Sequence, residues 1–193
     1  MTSFKLAASA VATLLVATSL STMPAMAQKS KDTLRIAIND PFSTLSNYCV
    51  PVDEAGNFYR RIYGTLVQIS EHEKKVVPGL AKSWTRVSPT VLEFDLRDDV
   101  TFHDGEKLDA DDVVYTINYL IDPKVNLRYK SNWAWLASVE KLGPYKIRIK
   151  SKTPVPDGMM WMAYNTPVFP EHIHGPLADK AAFGAKPIGT GPL

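Results

Sequence analysis

The sequence predicts a fold that mixes α-helices and β-strands, of the α+β or mixed α/β class. Residues 92–96 (LEFDL) and 145–150 (YKIRIK) alternate apolar and polar residues, which is typical of strands with one buried face. Between them, Val113, Ile117 and Leu120 recur at helical spacing. Helices and strands follow one another without a steady β-α-β rhythm, which favours this class over a regular parallel sheet.

Composition and charge are those of an ordinary globular protein. The 193 residues include 22 Lys and Arg against 20 Asp and Glu, a net charge of +2. This balance gives no basic excess for nucleic acid or for an anionic membrane surface. Cys49 is the single cysteine, so no internal disulfide can form. We interpret it as a small buried hydrophobe and not as a nucleophile.

Residues 1–27 have the pattern of a secretory signal peptide. Lys5 provides a positive start, residues 6–20 form an uncharged and mostly apolar run, and Ala25-Met26-Ala27 matches a small-x-small cleavage site. The apolar run is short for a bilayer span, so a membrane anchor is the less favoured alternative. The sequence therefore predicts a periplasmic or secreted protein that begins at Gln28 and is not membrane-spanning.

The remaining elements follow from local patterns along the chain. We predict a strand at 33–38, a helix at 53–63, a strand at 65–69, a solvated turn at 70–75 and a short helical turn at 78–84. Val100 and Phe102 would continue the strand at 92–96 or pair with it. A Gly-Pro turn at 143–144 would precede the strand at 145–150, and residues 157–164 form an apolar, Met- and Trp-rich helical segment.

One stretch carries most of the candidate chemistry. Residues 101–120 contain, close together, His103, Asp104, Glu106, Asp109, Asp111 and Asp112. They suggest a metal site, a catalytic acid pair, or a turn followed by a capped helix. Asp109 as N-cap places Asp111 and Asp112 in the first turn, where negative charge meets the positive end of the helix dipole. Leu108 and Val113 would form a hydrophobic staple, and Asp122-Pro123 would end the helix.

The metal and catalytic alternatives fit this stretch less well. His103 and Asp104 are adjacent, so in an extended segment their side chains point to opposite faces. His172 and His174 lie two positions apart, but no third ligand is evident and zinc sites usually have three or four. A general acid needs a raised pKa in an apolar pocket, whereas a helix N-terminus stabilises the charged carboxylate. We therefore predict no metal, no cofactor and no catalytic residue.

The order of motifs along the chain resembles one protein family. VVPGLAKSW is followed by LEFDLRDDVTFHDGEKLDADDVVYTINYLIDP, SVEKLGPYKIRIKSKTP, FPEHI and PIGTGPL. This succession, over about residues 34–193, resembles the peptide/nickel family of periplasmic solute-binding proteins that serve ABC importers, extracellular solute-binding protein family 5. Residues 78–123 are its most specific part.

The resemblance implies a periplasmic-binding-protein-like fold with two lobes that close on a ligand. It implies no catalysis and delivery of ligand to an inner-membrane permease. Residues 28–47 would start the first lobe, 48–185 would form its small α+β subdomain, and 186–193 would return to the lobe. Family members are several hundred residues long, so the resemblance implies that this chain is an N-terminal portion of such a protein.

The resemblance also implies which residues face the ligand. Asn39, Asp40, Pro41 and Phe42 follow the first strand and would lie at the cleft, although the same residues also fit a plain turn. Trp133 and Trp135 would contribute aromatic surface, with one of them in the core and the other in the cleft because i and i+2 point to opposite faces. Peptides are the expected ligands. A nickel or metal-chelate, opine or oligosaccharide carrier is the alternative, and a secreted hydrolase is a weaker one.

Overall fold

The computed structural model describes residues 44–46, 48 and 58–193. The predicted signal peptide, the first strand, Cys49 and the candidate residues Asn39 to Phe42 lie outside these residues. Residues 58–62, at the edge of the described part, are helical. They form the end of the helix predicted at 53–63. Within the described part, no helix is long and apolar enough to cross a membrane.

A four-stranded antiparallel sheet forms the main layer of the fold. Its strands, in spatial order, are β3 (Ala81–Ser88), β4 (Val91–Leu96), β6 (Lys146–Ser151) and β5 (Leu136–Gly143). Leu92 pairs with Ile149 and Phe94 with Ile147, so the apolar side chains of the two central strands share one face. These residues are buried. Together with the helices described below, the sheet confirms the mixed α+β class predicted from the sequence.

The other face of this sheet is covered by alternating charges. Arg148 lies between the two carboxylates of the neighbouring strands, with Nη2 2.6 Å from Glu93 and Nη1 3.5 Å from Glu140. Lys150 pairs with Glu140, and Lys146 lies 3.4 Å from Glu93. Opposite charges directly across a strand pair stabilise the register, and like charges would oppose it. The alternation seen in the sequence is thus one apolar face and one solvated face.

Helix α1 (Ala110–Ile121) packs against β5 and β6 on the apolar side. It begins as the sequence predicts. Asp109 Oδ1 accepts from the backbone N of Asp111 at 2.7 Å, and the Asp112 carboxylate accepts from the backbone N of Asp109 at 3.1 Å. This is a reciprocal capping box, and the predicted staple residues Leu108 and Val113 are both buried.

Removing the Asp109 cap should lower stability without affecting ligand binding. Asp109→Ala is expected to reduce the free energy of unfolding by about 0.5–2 kcal/mol. The backbone N–H of Asp111 loses its acceptor, and the reciprocal hydrogen bond from the backbone N–H of residue 109 to Asp112 is weakened. Urea titration measures the loss, and Asp98→Ala, in the exposed turn after β4, is the matched control. A variant that melts like the wild type but loses bound ligand would show that Asp109 belongs to a binding site.

The described residues also form a second sheet of two strands. Strands β1 (Val67–Ser70) and β2 (Lys75–Pro78) form a hairpin, against which helix α2 (Gly158–Asn165) packs. The short helix α3 (Glu171–His174) follows, and 3₁₀ turns occupy Lys130–Trp133 and Lys180–Ala185. The predicted strand near 65–69, the turn after it and the helical segment at 157–164 are confirmed, with shifts of a few residues at their ends.

Two predictions of local structure are wrong. Residues 78–84 form no helical turn, because the chain passes from β2 directly into β3. Leu80 and Trp84 fit a helical spacing, but two contacts hold the segment extended. Leu80 N donates a hydrogen bond to Thr65 O at 2.9 Å, and Trp84 pairs with Phe94 of β4. Val100 and Phe102 do not extend β4. They flank an isolated bridge between Thr101 and Lys107.

Candidate functional site

The acidic stretch around α1 is used for structure. Asp111 pairs with Lys141 of β5 at 2.6 Å, and Asp104 Oδ2 lies 2.8 Å from Nε2 of His172. The hydrogen bond to His172 lowers the pKa of the Asp104 carboxyl. His103 and Asp104 have different partners, as their adjacency predicts. The described residues contain no group of three or more His, Cys, Asp or Glu side chains placed to hold a metal ion.

Asp112 joins the start of α1 to the start of α3. Its carboxylate is buried and accepts from the backbone N of Glu171 at 2.9 Å as well as from Asp109. Burial raises the pKa of the Asp112 carboxyl, and the two backbone donors oppose that effect. Because each of its two oxygens accepts from a backbone N–H group, one at the start of each helix, the Asp112 carboxylate connects α1 to α3.

His103 holds the segment that ends the described chain. Its Nδ1 accepts from the backbone N of Gly189 at 3.3 Å, and its Nε2 lies 2.9 Å from the carbonyl O of Gly191. One neutral tautomer, with the proton on Nε2, satisfies both contacts. On its other side the same segment bonds to residues 61–62, through Gly191 N to Ile62 O at 2.8 Å and Leu193 N to Arg61 O at 3.0 Å.

The two candidate tryptophans have different surroundings. Trp133 is 5% exposed, its ring meets Tyr48 edge-on at 5.2 Å, and its Nε1 donates to Thr166 Oγ1 at 3.3 Å. Trp135 is half-buried and donates to the carbonyl of Asn132 at 3.0 Å. A Cβ on Gly158 would lie 3.5 Å from the Trp135 ring, so that ring lies against the first residue of α2. Trp133 is therefore a core residue, whereas Trp135 is a partly exposed residue packed against the core.

Helix α2, whose first residue lies against Trp135, also exposes apolar side chains. Met160 is 43% and Trp161 is 38% exposed, whereas Met159 and Met162 of the same helix are buried. The depression beside Trp135 holds only about 10 Å³, so this surface by itself encloses no ligand. Exposed aromatic and methionine side chains are typical of surfaces that meet an apolar partner or ligand.

A larger hollow opens at the other end of α2. It has a volume of about 380 Å³ and lies between the helical residues 58–62, strand β1 and the last turn of α2. The guanidinium of Arg60 stacks 4.7 Å above the centroid of the Tyr164 ring. Arg61 lines the same hollow. Neither arginine has a carboxylate partner among the described residues.

A buried cluster of aromatic rings, two of them from α1, surrounds His174. His174 is fully buried, and its Nδ1 lies 2.5 Å from the Tyr115 hydroxyl, whereas its Nε2 has no hydrogen-bond partner among the described residues. Burial, and secondarily the charge of Lys180, lowers its pKa from 6.5 to about 4. The imidazole is packed among aromatic rings at centroid distances of 4.7–5.7 Å: Phe169, Tyr119, Phe183 and Tyr115. A neutral ring whose edge faces aromatic rings fits this setting better than a charged ring.

Sequence reasoning missed several of these residues. Met160 and Trp161 were part of an apolar segment whose exposed side could not be read, because the run GMMWMAY is apolar on every face. Arg60 and Arg61 are adjacent in the predicted helix, with no acidic residue three or four positions away, and this pair of neighbouring arginines is the signal that the sequence offers. The sequence suggests His174 only as a metal ligand, whereas its ring lies in an aromatic core.

The chain matches a known family over most of the described residues. Residues 75–192 match the model of bacterial extracellular solute-binding proteins, family 5 Middle, which is more than half of the chain. The oligopeptide-binding protein AppA of Bacillus subtilis is 30% identical over 174 residues, covering 86% of this chain and 31% of AppA. The HTH-type transcriptional regulator SgrR of Yersinia enterocolitica is 24% identical over 167 residues, covering 86% of this chain and 28% of SgrR.

Solved structures with the same fold carry ligands. NikZ from Campylobacter jejuni, in complex with Ni(L-His), superposes with a TM-score of 0.75 and 31% identity, over 84% of this chain and 32% of NikZ. AppA from Bacillus subtilis, in complex with a nonapeptide, gives a TM-score of 0.71 and 28% identity, over 81% of this chain and 32% of AppA. The chain thus spans about a third of the length of these relatives.

Proposed function

The chain belongs to the bacterial extracellular solute-binding proteins of family 5, and on that premise we propose that it contributes one wall of the ligand cleft of a peptide-binding protein for an ABC importer. The observation that carries the proposal is its likeness to AppA, which is 30% identical in sequence and whose structure holds a nonapeptide. Peptide ligands are varied, and a wall of aromatic and thioether side chains gives apolar contact without demanding one side chain.

The proposed wall combines Trp135 with the exposed side of α2. Trp135 lies against Gly158, the first residue of α2, and Met160 and Trp161 are exposed on the same helix. Asn39, Asp40, Pro41 and Phe42, which lie outside the described residues, remain proposed ligand contacts because loops after strands often carry binding groups. We leave Trp133 out of the proposed wall because it is buried.

The proposal includes location and partner. Residues 1–27 would direct export, and the mature protein would act in the periplasm and hand its ligand to an inner-membrane permease. The family relatives bind solutes and are not enzymes, and the described residues give no reason to propose a catalytic site. SgrR is a transcriptional regulator, so the same module also serves in a protein of another class.

A metal-chelate carrier is the second candidate. NikZ, with Ni(L-His) bound, has a TM-score of 0.75 against this chain. The candidate metal ligands of this chain have other partners: His172 pairs with Asp104, and His174 is buried against Tyr115. An ion that is already chelated by a small molecule needs few ligands from the protein, so these contacts do not remove the second candidate. The two candidates share the fold and differ in the ligand that binds.

Calorimetry on the protein expressed from its own gene separates the two candidates. A pool of nonapeptides should give a saturable heat with a dissociation constant of the order of micromolar, which corresponds to a binding free energy of about −8 kcal/mol. Nickel with excess L-histidine should give none. A saturable heat with nickel–histidine alone would establish the metal-chelate function in place of the peptide function, and no heat with either would remove both.

A further inference from the structure

We propose that the hollow beside α2 is an anion site that receives a free carboxylate of the ligand, held by Arg60 and Arg61. This inference rests on the proposed function, because it names a chemical group of the same ligand. It differs from the aromatic wall, which would contact side chains of the ligand and carries no charge.

The two guanidinium groups are not engaged by any carboxylate of the described residues. Arg60 and Arg61 are exposed and line the same hollow, and neither forms an ion pair with a described carboxylate. Among the other described arginines, Arg97 pairs with Asp99 at 2.8 Å and Arg148 with Glu93 at 2.6 Å, so a carboxylate is a common partner of a guanidinium group in this fold. An arginine presents a planar set of donors that matches a carboxylate in a two-bond geometry.

The charged residues that line the hollow are two arginines and one glutamate, and a neighbouring ring orients one of the arginines. Glu71 is the carboxylate that lines it, and Glu71 is engaged by Lys74 at 3.3 Å. The Tyr164 ring lies under Arg60 at 4.7 Å, and stacking on an aromatic ring restricts the guanidinium without using its donors. A ligand carboxylate would therefore meet an oriented cation and a second cation close by.

The remaining lining suits a small polar end group. Gln68 offers an exposed amide, and Tyr63 contributes an aromatic ring, but its hydroxyl already donates to Leu45 O at 2.9 Å. A volume of about 380 Å³ falls at the small end of ligand pockets, enough for one or two residues of a peptide. Because α2 carries Tyr164 near its end and Trp161 one turn earlier, one peptide could reach both the hollow and the aromatic wall.

Matched ligands test this assignment on the protein expressed from its own gene. An N-acetylated tripeptide with a free carboxylate is compared with its C-terminal amide by calorimetry. The free acid should bind at least about tenfold more tightly, a difference of about 1.4 kcal/mol, because the amide carries no charge for the arginines. Arg60→Gln and Arg61→Gln should each reduce this preference, and Arg60→Lys should retain part of it. Arg97→Gln removes the same charge elsewhere and should leave the preference unchanged.

The outcomes distinguish this site from the proposed function. Equal binding of acid and amide, or a preference that survives Arg60→Gln combined with Arg61→Gln, would overturn the anion site while peptide binding stands. If no peptide binds but succinate does, and that binding needs Arg60, the anion site stands and the peptide function fails. Binding of neither peptide nor succinate would contradict both. Unchanged circular dichroism of the variants confirms that they are folded, as expected for exposed side chains.

Discussion

Trp133→Ala is expected to reduce the free energy of unfolding by about 3–5 kcal/mol, the range observed for large aromatic side chains removed from cores. The indole is 5% exposed, meets Tyr48 edge-on at 5.2 Å and gives its N–H to Thr166. Its removal leaves a cavity between the residues before β5 and the end of α2. A domain of this size has a total stability of only about 5–15 kcal/mol, so the variant should be close to unfolding at physiological temperature.

Trp135→Ala is the matched comparison, because the same residue type lies two positions away. It is half-buried, so its loss should reduce stability less than the loss of Trp133 and should mainly weaken ligand binding. Urea unfolding gives the stability of both variants, and calorimetry with peptide gives the affinity of the variant that folds. If Trp135→Ala only destabilises, with an unchanged dissociation constant, the ligand wall has been placed wrongly.

Acidification should destabilise the fold before most carboxylates are protonated. His174 has a pKa of about 4 in the folded chain against 6.5 ordinarily, because burial disfavours its charged form. Below pH 6.5 the unfolded chain binds a proton at His174, whereas the folded chain does not bind it until about pH 4. The free energy of unfolding is therefore unaffected above pH 6.5, falls as the pH drops from 6.5 towards 4, and shows no further loss from this residue below pH 4. The full loss corresponds to about 3 kcal/mol, and about 2 kcal/mol of it is expected by pH 5.

A variant that cannot titrate isolates this contribution. His174→Gln retains a hydrogen-bonding group for Tyr115, and its stability should vary less with pH between 6.5 and 5 than that of the wild type. The difference between the two urea-unfolding series removes the contribution of the carboxylates, including Asp112, whose raised pKa acts in the opposite direction. Parallel curves for the two proteins over this interval would show that His174 is not the source of the acid sensitivity.

The parts of the fold that could be predicted are those that depend on neighbouring residues. The capping box at the start of α1 consists of Asp109 and Asp112, which are only three positions apart in the sequence. The burial of Leu92, Phe94 and Leu96 follows from alternation within one strand. In these cases the chain carries the complete signal within a few residues.

The parts that could not be predicted depend on contacts far apart in sequence. Residues 78–84 have an apolar spacing that suits a helix, but the pairing of Trp84 with Phe94 and of Leu80 with Thr65 makes them extended. The surroundings of His174 come from α1, the segment before α3 and the 3₁₀ turn that holds Phe183. The hollow with Arg60 and Arg61 needs α2, which is about a hundred residues further along the chain.

The most direct test of the peptide-binding account is native mass spectrometry of the protein isolated from the periplasmic fraction of the cells that make it. The account predicts a mature chain that begins at Gln28 and carries a set of added masses, which fragment as peptides when released. A protein that retains Met1, or one whose added mass is nickel with histidine, would contradict the proposed export or the proposed ligand respectively. A protein that carries no added mass and binds no peptide supplied afterwards would contradict the central claim.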